Sequence, residues 1–174
     1  LWVTLKLNLL AVFFTWIIAL PLGVWSAAEA DGYFDRFGTV AMFFLYSLPA
    51  MWVALMLQSL LCEGGWLNWF PLRGLSVDNP ENFTSWQLAW ENLRRYVLPV
   101  FCLTYAGVAM LTRYVRGGML ETLHRDYIRT AWAKGVSEHD VIWKHAFRNA
   151  LITLITLSAG LLPGLVAGSG LIEY

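Results

Sequence analysis

The run LNLLAVFFTWIIALPLGVWSAA, from Leu7 to Ala28, holds no charged residue. In a helix rising about 1.5 Å per residue it reaches about 33 Å, enough to cross the roughly 30 Å hydrocarbon layer of a bilayer. Its apolar residues are continuous rather than alternating, which excludes a barrel strand. A cleaved leader explains it poorly, because it lacks a basic n-region and three further stretches of the same kind follow. These are 37–62, 96–112 and 149–172, all free of charge.

The whole composition agrees. Of 174 residues, 58% are hydrophobic and only 14% charged, with a mean hydropathy of +0.54. Soluble domains carry about 25% charged residues, and a domain of this size cannot bury so much apolar surface. The solvent is lipid. Twelve Lys+Arg balance twelve Asp+Glu, which argues against a nucleic-acid partner. Two cysteines rule out a disulfide-built scaffold.

Basic residues set the expected orientation. The connection 113–148 holds seven (Arg113, Arg116, Arg125, Arg129, Lys134, Lys144 and Arg148), whereas 63–95 holds three (Arg73, Arg94 and Arg95). The side with seven is expected to be cytoplasmic, together with 29–36, and 63–95 is expected outside. Trp66, Trp69, Trp86, Trp90 and Tyr96 fit an interfacial aromatic belt, with a carbohydrate or aromatic-ligand site as the alternative. Asn82-Phe83-Thr84 matches a glycosylation sequon, a pattern short enough to arise by chance. Pro21, Pro49 and Pro163 fall inside spans, where each removes a backbone donor and kinks its helix.

The loop 113–148 reads as two helices. Met119, Leu120, Leu123, Tyr127, Ile128, Ala131 and Trp132 recur at three and four, placing one apolar face on a helix over 113–134. Gly135 is suited to end that helix with positive φ. Ser137 with Asp140 resembles a capping box, so a second helix starts near Glu138 and runs into the fourth span, supported by Asp140 and Lys144 at i,i+4. By its residues alone the hairpin either lies against its own bundle and the headgroups or docks a cytoplasmic partner.

The segment DYIRTAWAKGVSEHDVIWKHAFRNALI, Asp126–Ile152, resembles the permease subunits of bacterial ATP-binding-cassette importers, in the B-type branch of the oligopeptide, dipeptide and nickel group. PLGVWSA (21–27), SLPAMWVALML (47–57) and GLVAGSGLIE (164–173) are similar to further parts of that family. The resemblance implies an all-α polytopic bundle of the type I importer permease kind, here with four spans in one domain and a cytoplasmic coupling helix. It also implies a coupling role for Asp126, Tyr127, Arg129, Thr130, Ala131, Lys134, Gly135, Ser137, His145, Arg148 and Asn149. Arg129-Thr130 replaces the Glu-Ala of the general importer signature, as is typical of this branch. Trp132 stands where the branch commonly has a smaller or basic residue. The implied partners are ATP-binding subunits, a second permease subunit, an external solute-binding protein and the lipid bilayer. Family members usually have six spans, so the chain is expected to run from the second to just after the fifth, as an internal fragment or the product of a truncated or split gene.

No phosphate-binding GxxxxGK[ST] occurs, so ATP chemistry is expected on another chain. His124, His139 and His145 join no metal pattern, and Cys62 and Cys102 read as packing residues too different in depth to pair. No catalytic group, cofactor site or metal site is expected. Asn8, Gln58, Thr153, Thr156, Ser158 and Ser169 either line a path or bond between helices. Gly160, Gly164 and Gly168 form a small-residue face suited to helix packing. The expected function is a permease subunit of an ATP-driven importer for peptides or similar solutes. The alternative is a non-transporting scaffold that docks a cytoplasmic protein.

Overall fold

The computed structural model describes residues 2–71, 74 and 83–159. Among the described residues seven α-helices follow in order: α1 Trp2–Ala28, α2 Tyr33–Ser47, α3 Ala50–Leu61, α4 Ser85–Leu123, α5 Asp126–Ala133, α6 Glu138–Asp140 and α7 Phe147–Ala159. A π-helical turn, Val141–Ala146, joins α6 to α7. No strand forms among the described residues, apart from an isolated bridge between Cys62 and Phe70. α1 and α4 are each long and apolar enough to cross a membrane.

α4 is the axis of the bundle, and α1 packs along it through small residues. Ala11, Ala19, Gly23 and Ala27 recur every four positions and are buried, with Thr15 completing the row. Backbones approach closely there: a Cβ on Gly23 would stand 2.5 Å from Val115 Cβ, and one on Gly107 would stand 3.1 Å from Thr15 Oγ1. Since Thr15 faces Gly107 and Gly23 faces Val115 at a constant offset, the two helices run parallel. Their ends at Ala28 and Leu123 therefore lie on one side, as the expected topology requires of 29–36 and 113–148.

The stretch 37–62, expected as one span, is two helices bent by 92° between Ser47 and Ala50. Pro49 has no N–H to continue the ladder, and Leu48 is pushed to extended backbone, ψ 126°, as a residue before proline tends to be. Tyr105 of α4 donates its hydroxyl to the Leu48 carbonyl at 2.9 Å, satisfying an acceptor that the break exposes.

The third expected span, 96–112, lies inside a 39-residue helix that absorbs both flanks of the neighbouring loops. Its start is a reciprocal capping box of Thr84 and Gln87, with Thr84 N–H donating to Gln87 Oε1 at 3.1 Å. Thr84 of the sequon is therefore in use as a cap; Asn82 lies outside the described residues. Pro99 is accommodated within α4.

The helix expected over 113–134 is broken instead at His124 and Arg125. Arg125 is extended, ψ 148°, and His124 Nδ1 turns back to the Leu120 carbonyl at 2.7 Å. Leu120 and Leu123 on α4 still pack against Met119, Ile128 and Ala131 in one core, while Tyr127 and Trp132 face outward. Of the fourth expected span, α7 supplies residues to Ala159; Pro163, Gly160, Gly164 and Gly168 lie outside the described residues. Cys62 and Cys102, read as too different in depth to meet, line one cavity of about 320 Å³ between α3 and α4, both as free thiols.

Candidate functional site

The hairpin at the end of α4 is built by four local devices. α5 is short and strongly two-sided: Ile128 and Ala131 are buried, and Asp126, Arg129, Thr130 and Trp132 are exposed. It ends in a Schellman motif, in which Val136 N–H donates to the Ala131 carbonyl at 3.2 Å and Gly135 N–H to the Trp132 carbonyl at 2.9 Å. Gly135 carries φ +76°, the conformation that the sequence demanded of it. Val136 then packs beside Ala131 in the core.

Ser137 caps α6, the returning arm of the hairpin, its Oγ accepting from Asp140 N–H at 3.2 Å. Only this half of the expected capping box forms. The Asp140 carboxylate turns to Lys144 Nζ at 2.7 Å, and the Lys144 hydrogen bond holds the Asp140 carboxyl below its ordinary value.

The π turn keeps the buried face in phase. Val141, Ala146, Ala150 and Leu154 are all buried, at steps of five, four and four. In an α-helix a step of five lands about 140° away, so the wider turn is what lets both Val141 and Ala146 face Ile128 and Met119. That step of five was the available sequence signal for the π turn.

Tyr127, His145 and Asn149 come together. The Asn149 amide donates to Tyr127 Oη at 2.7 Å and to the His145 carbonyl at 3.2 Å, stapling α5 to α7. Asp126, Arg129, Thr130, Lys134 and Gly135 form the exposed rim, where Arg129 lies 3.9 Å from Asp126 and Thr130 Oγ1 donates to the Asp126 carbonyl at 3.0 Å. Arg148 is exposed on α7, apart from that rim. Ala131 is structural, since it points inward. The assembly is an elbow braced by these bonds, with an outward surface of charge, one tryptophan and one tyrosine.

The sequence reading missed a polar node about two turns before the end of α4. Asp35, 4% exposed at its side chain, receives Arg116 Nε and a second guanidinium nitrogen, each at 2.6 Å. Ser26 Oγ donates to the same carboxylate at 2.5 Å, and Asp31 N–H does so at 3.0 Å. The guanidinium of Arg113 sits 4.3 Å over the Phe43 ring. Together these fasten α2 and the α1–α2 turn to the base of α4. An acid in a short loop and an arginine at the matching end of a span were the available signal.

Residues 19–174 match the family described as "Binding-protein-dependent transport system inner membrane component". Similar curated proteins include the oligopeptide transport system permease protein AppB of Bacillus subtilis, 37% identical over 170 residues covering 98% of this chain and 52% of that protein. The inner membrane ABC transporter permease protein YejB of Escherichia coli O157:H7 is 32% identical over 98% of this chain and 47% of its own length. The dipeptide transport system permease protein DppB of Alkalihalophilus pseudofirmus is 33% identical over 97% and 54%. The chain thus spans about half the length of the curated relatives it matches. With an all-helical membrane bundle, and with the family description covering all but its first eighteen residues, this chain belongs to the binding-protein-dependent transport system inner membrane component family.

Proposed function

We propose that the chain is a membrane-spanning part of a permease subunit in an ATP-driven importer of peptides or similar small solutes. Separate ATP-binding subunits seat on the elbow at Asp126–Gly135, and hydrolysis takes place on those subunits. A second permease subunit completes the path, and an external solute-binding protein delivers the solute. The names of the relatives, oligopeptide and dipeptide permeases, support the solute class.

The observation that carries the reading is the elbow itself. α5 presents an exposed face and is locked by the Schellman turn, by the Tyr127–Asn149 bond and by the core beneath Ile128. Switching a two-state permease from 1:99 to 99:1 requires about 5.5 kcal/mol of differential binding. Only a stiff element transmits that. Seven basic residues in 113–148 against three in 63–95 support an elbow on the cytoplasmic side.

The test is reconstitution of the full-length permease with its ATP-binding subunits, permease partner and binding protein in proteoliposomes. The reading expects ATP-dependent uptake from a library of di- to pentapeptides, lost when Trp132→Ala and Arg129→Ala are combined. Assembly with an ATPase but no solute uptake by the parent protein overturns it in favour of a scaffold.

A further inference from the structure

The bundle has two differently packed halves. From Thr15–Gly107 toward the elbow, α1 and α4 interdigitate, and α2 is fastened to α4 by Asp35–Arg116 and by Arg113 over Phe43. Toward the other end the helices stand apart. A cleft lined by Leu9 and Phe13 of α1 and by Ala89 and Leu93 of α4 opens there. The 320 Å³ cavity separates α3 from the outer part of α4, with Gln58 and Pro99 on its walls. α3 contains no buried residue.

The boundary between the halves is marked by two prolines. Pro49 breaks α2 from α3, and Pro99 removes one rung from α4. Beyond them the outer pieces are tied to one another. The loop after α3 folds back on it, with Leu67 N–H to the Leu60 carbonyl at 3.0 Å and Trp69 N–H to the Leu61 carbonyl at 2.8 Å. The Arg94 guanidinium donates to the Trp69 carbonyl, fastening that loop to α4 before Pro99.

We infer that α3, the 62–70 loop and α4 up to residue 98 form one outer body that rotates about Pro49 and Pro99, and that Tyr105 is the positioning residue that sets its resting angle. Tyr105 is placed for this role. It is 5% exposed, stacks on Phe101 at 6.2 Å, and holds the Leu48 carbonyl at the pivot from the inner side of Pro99. In lipid a carbonyl freed by a break needs a protein donor, so the hydroxyl fixes the angle at which the break is satisfied. Rotation lengthens or releases that one bond while the α2–α4 clamps stay closed.

The consequence for solute movement rests on the transport reading above; the motion itself is measured separately. Spin labels at Phe44→Cys and Leu60→Cys report the outer body against α2, and labels at Phe44→Cys and Tyr114→Cys report the inner body. Both pairs are placed in the full-length, fully assembled importer with Cys62 and Cys102 changed to alanine. Leu60 lies about 16 Å along the helix from Pro49, so a swing of about 15° shifts the first pair by about 4 Å. That shift is expected between nucleotide-free and ATP-trapped states, with the Phe44–Tyr114 distance unchanged. In Tyr105→Phe the Phe44–Leu60 distribution broadens without nucleotide and the ATP consumed per solute rises several-fold, while the melting temperature stays near the parent's. In Pro49→Ala the helix closes across the break, and the distance moves toward the roughly 24 Å rise of a continuous helix.

A Phe44–Leu60 distance that is the same in both nucleotide states overturns the hinge, as does a Tyr105→Phe protein with parental distances and stoichiometry. Failure of the transport reading has a different signature: the parent assembly takes up no peptide, whatever its distances do.

Discussion

Asp35 and Arg116 lie 81 residues apart and meet as a bidentate pair, both bonds 2.6 Å long. The carboxylate is 4% exposed and the guanidinium 29% exposed. Such a pair is worth little against an apolar replacement, but breaking one side of it is costly, because the remaining charge is left buried. The Ser26 and Asp31 donors raise the stakes by fixing the carboxylate at the α1–α2 turn.

Arg116→Ala is therefore expected to destabilise the protein by about 3 kcal/mol. Combining it with Asp35→Asn recovers part of that loss. Thermal unfolding of the two variants in detergent, followed by tryptophan fluorescence, gives the comparison. Equal losses for the single and double variants contradict the pair's assigned role.

Gly23→Ala forces a Cβ to 2.5 Å from Val115 Cβ and 2.9 Å from the Thr112 carbonyl. Overpacking of this kind costs about 1–3 kcal/mol. Val115→Ala in the same chain removes only the 2.7 Å contact with Val115 Cγ1, so the double variant is expected to melt little above Gly23→Ala alone. The Cβ and carbonyl contacts remain, and recovery stays slight.

Gly135→Ala places a Cβ on a residue at φ +76°, at a cost of about 1–2 kcal/mol. Nothing lies within 4 Å of that Cβ, so the penalty is conformational and Gly135→Asn is expected to be milder. Hydrogen exchange across 126–140 should speed up in the alanine variant, and peptide uptake per ATP should fall. Unchanged exchange and unchanged coupling contradict the rigid-elbow account.

Tyr127→Phe deletes the 2.7 Å bond to Asn149 while keeping the ring. The expected loss is about 1 kcal/mol, read locally as faster exchange of the α5 amides with α1 unaffected.

Asp140 gives a pH signature. Its carboxyl sits below the ordinary 3.8, chiefly through the Lys144 hydrogen bond. A carboxylate depressed on folding contributes fully above its unfolded pKa and loses that contribution as the pH falls through the folded value. The turn over Ser137–Lys144 is thus expected to keep its protection at pH 5 and above, and to loosen below about pH 3.8. Lys144→Met should abolish that acid-dependent step, which amide exchange between pH 3 and 6 measures.

Much of this architecture was legible because lipid imposes simple rules. Uncharged runs of about twenty residues mark spans, and Leu7–Ala28 lies within α1. Gly135 was legible because few other residues adopt its backbone, and Asp140–Lys144 because i,i+4 spacing is local. The breaks were harder. Pro49 signalled a kink, yet not its 92° angle, and the hydroxyl that meets the Leu48 carbonyl there comes from Tyr105 on a distant helix. At His124–Arg125 the apolar periodicity continued across a helix boundary, because residues of α4 and α5 share one core after the chain has turned. The Asp35–Arg116 pair was hidden for a related reason: it joins α2 to α4 across 81 residues, and no local pattern encodes so distant a contact. The Ala11, Thr15, Ala19, Gly23, Ala27 repeat was readable as a small-residue face by the same four-residue spacing as Gly160, Gly164 and Gly168.

The most direct measurement is the side of the membrane on which Lys134 lies. Lys134→Cys, in the full-length permease with Cys62 and Cys102 replaced by alanine, is treated with a membrane-impermeant maleimide in spheroplasts and in inside-out vesicles. The account predicts labelling only in inside-out vesicles, with protection when the ATP-binding subunits are bound. Labelling of intact spheroplasts, or labelling in vesicles that those subunits leave unchanged, would contradict it.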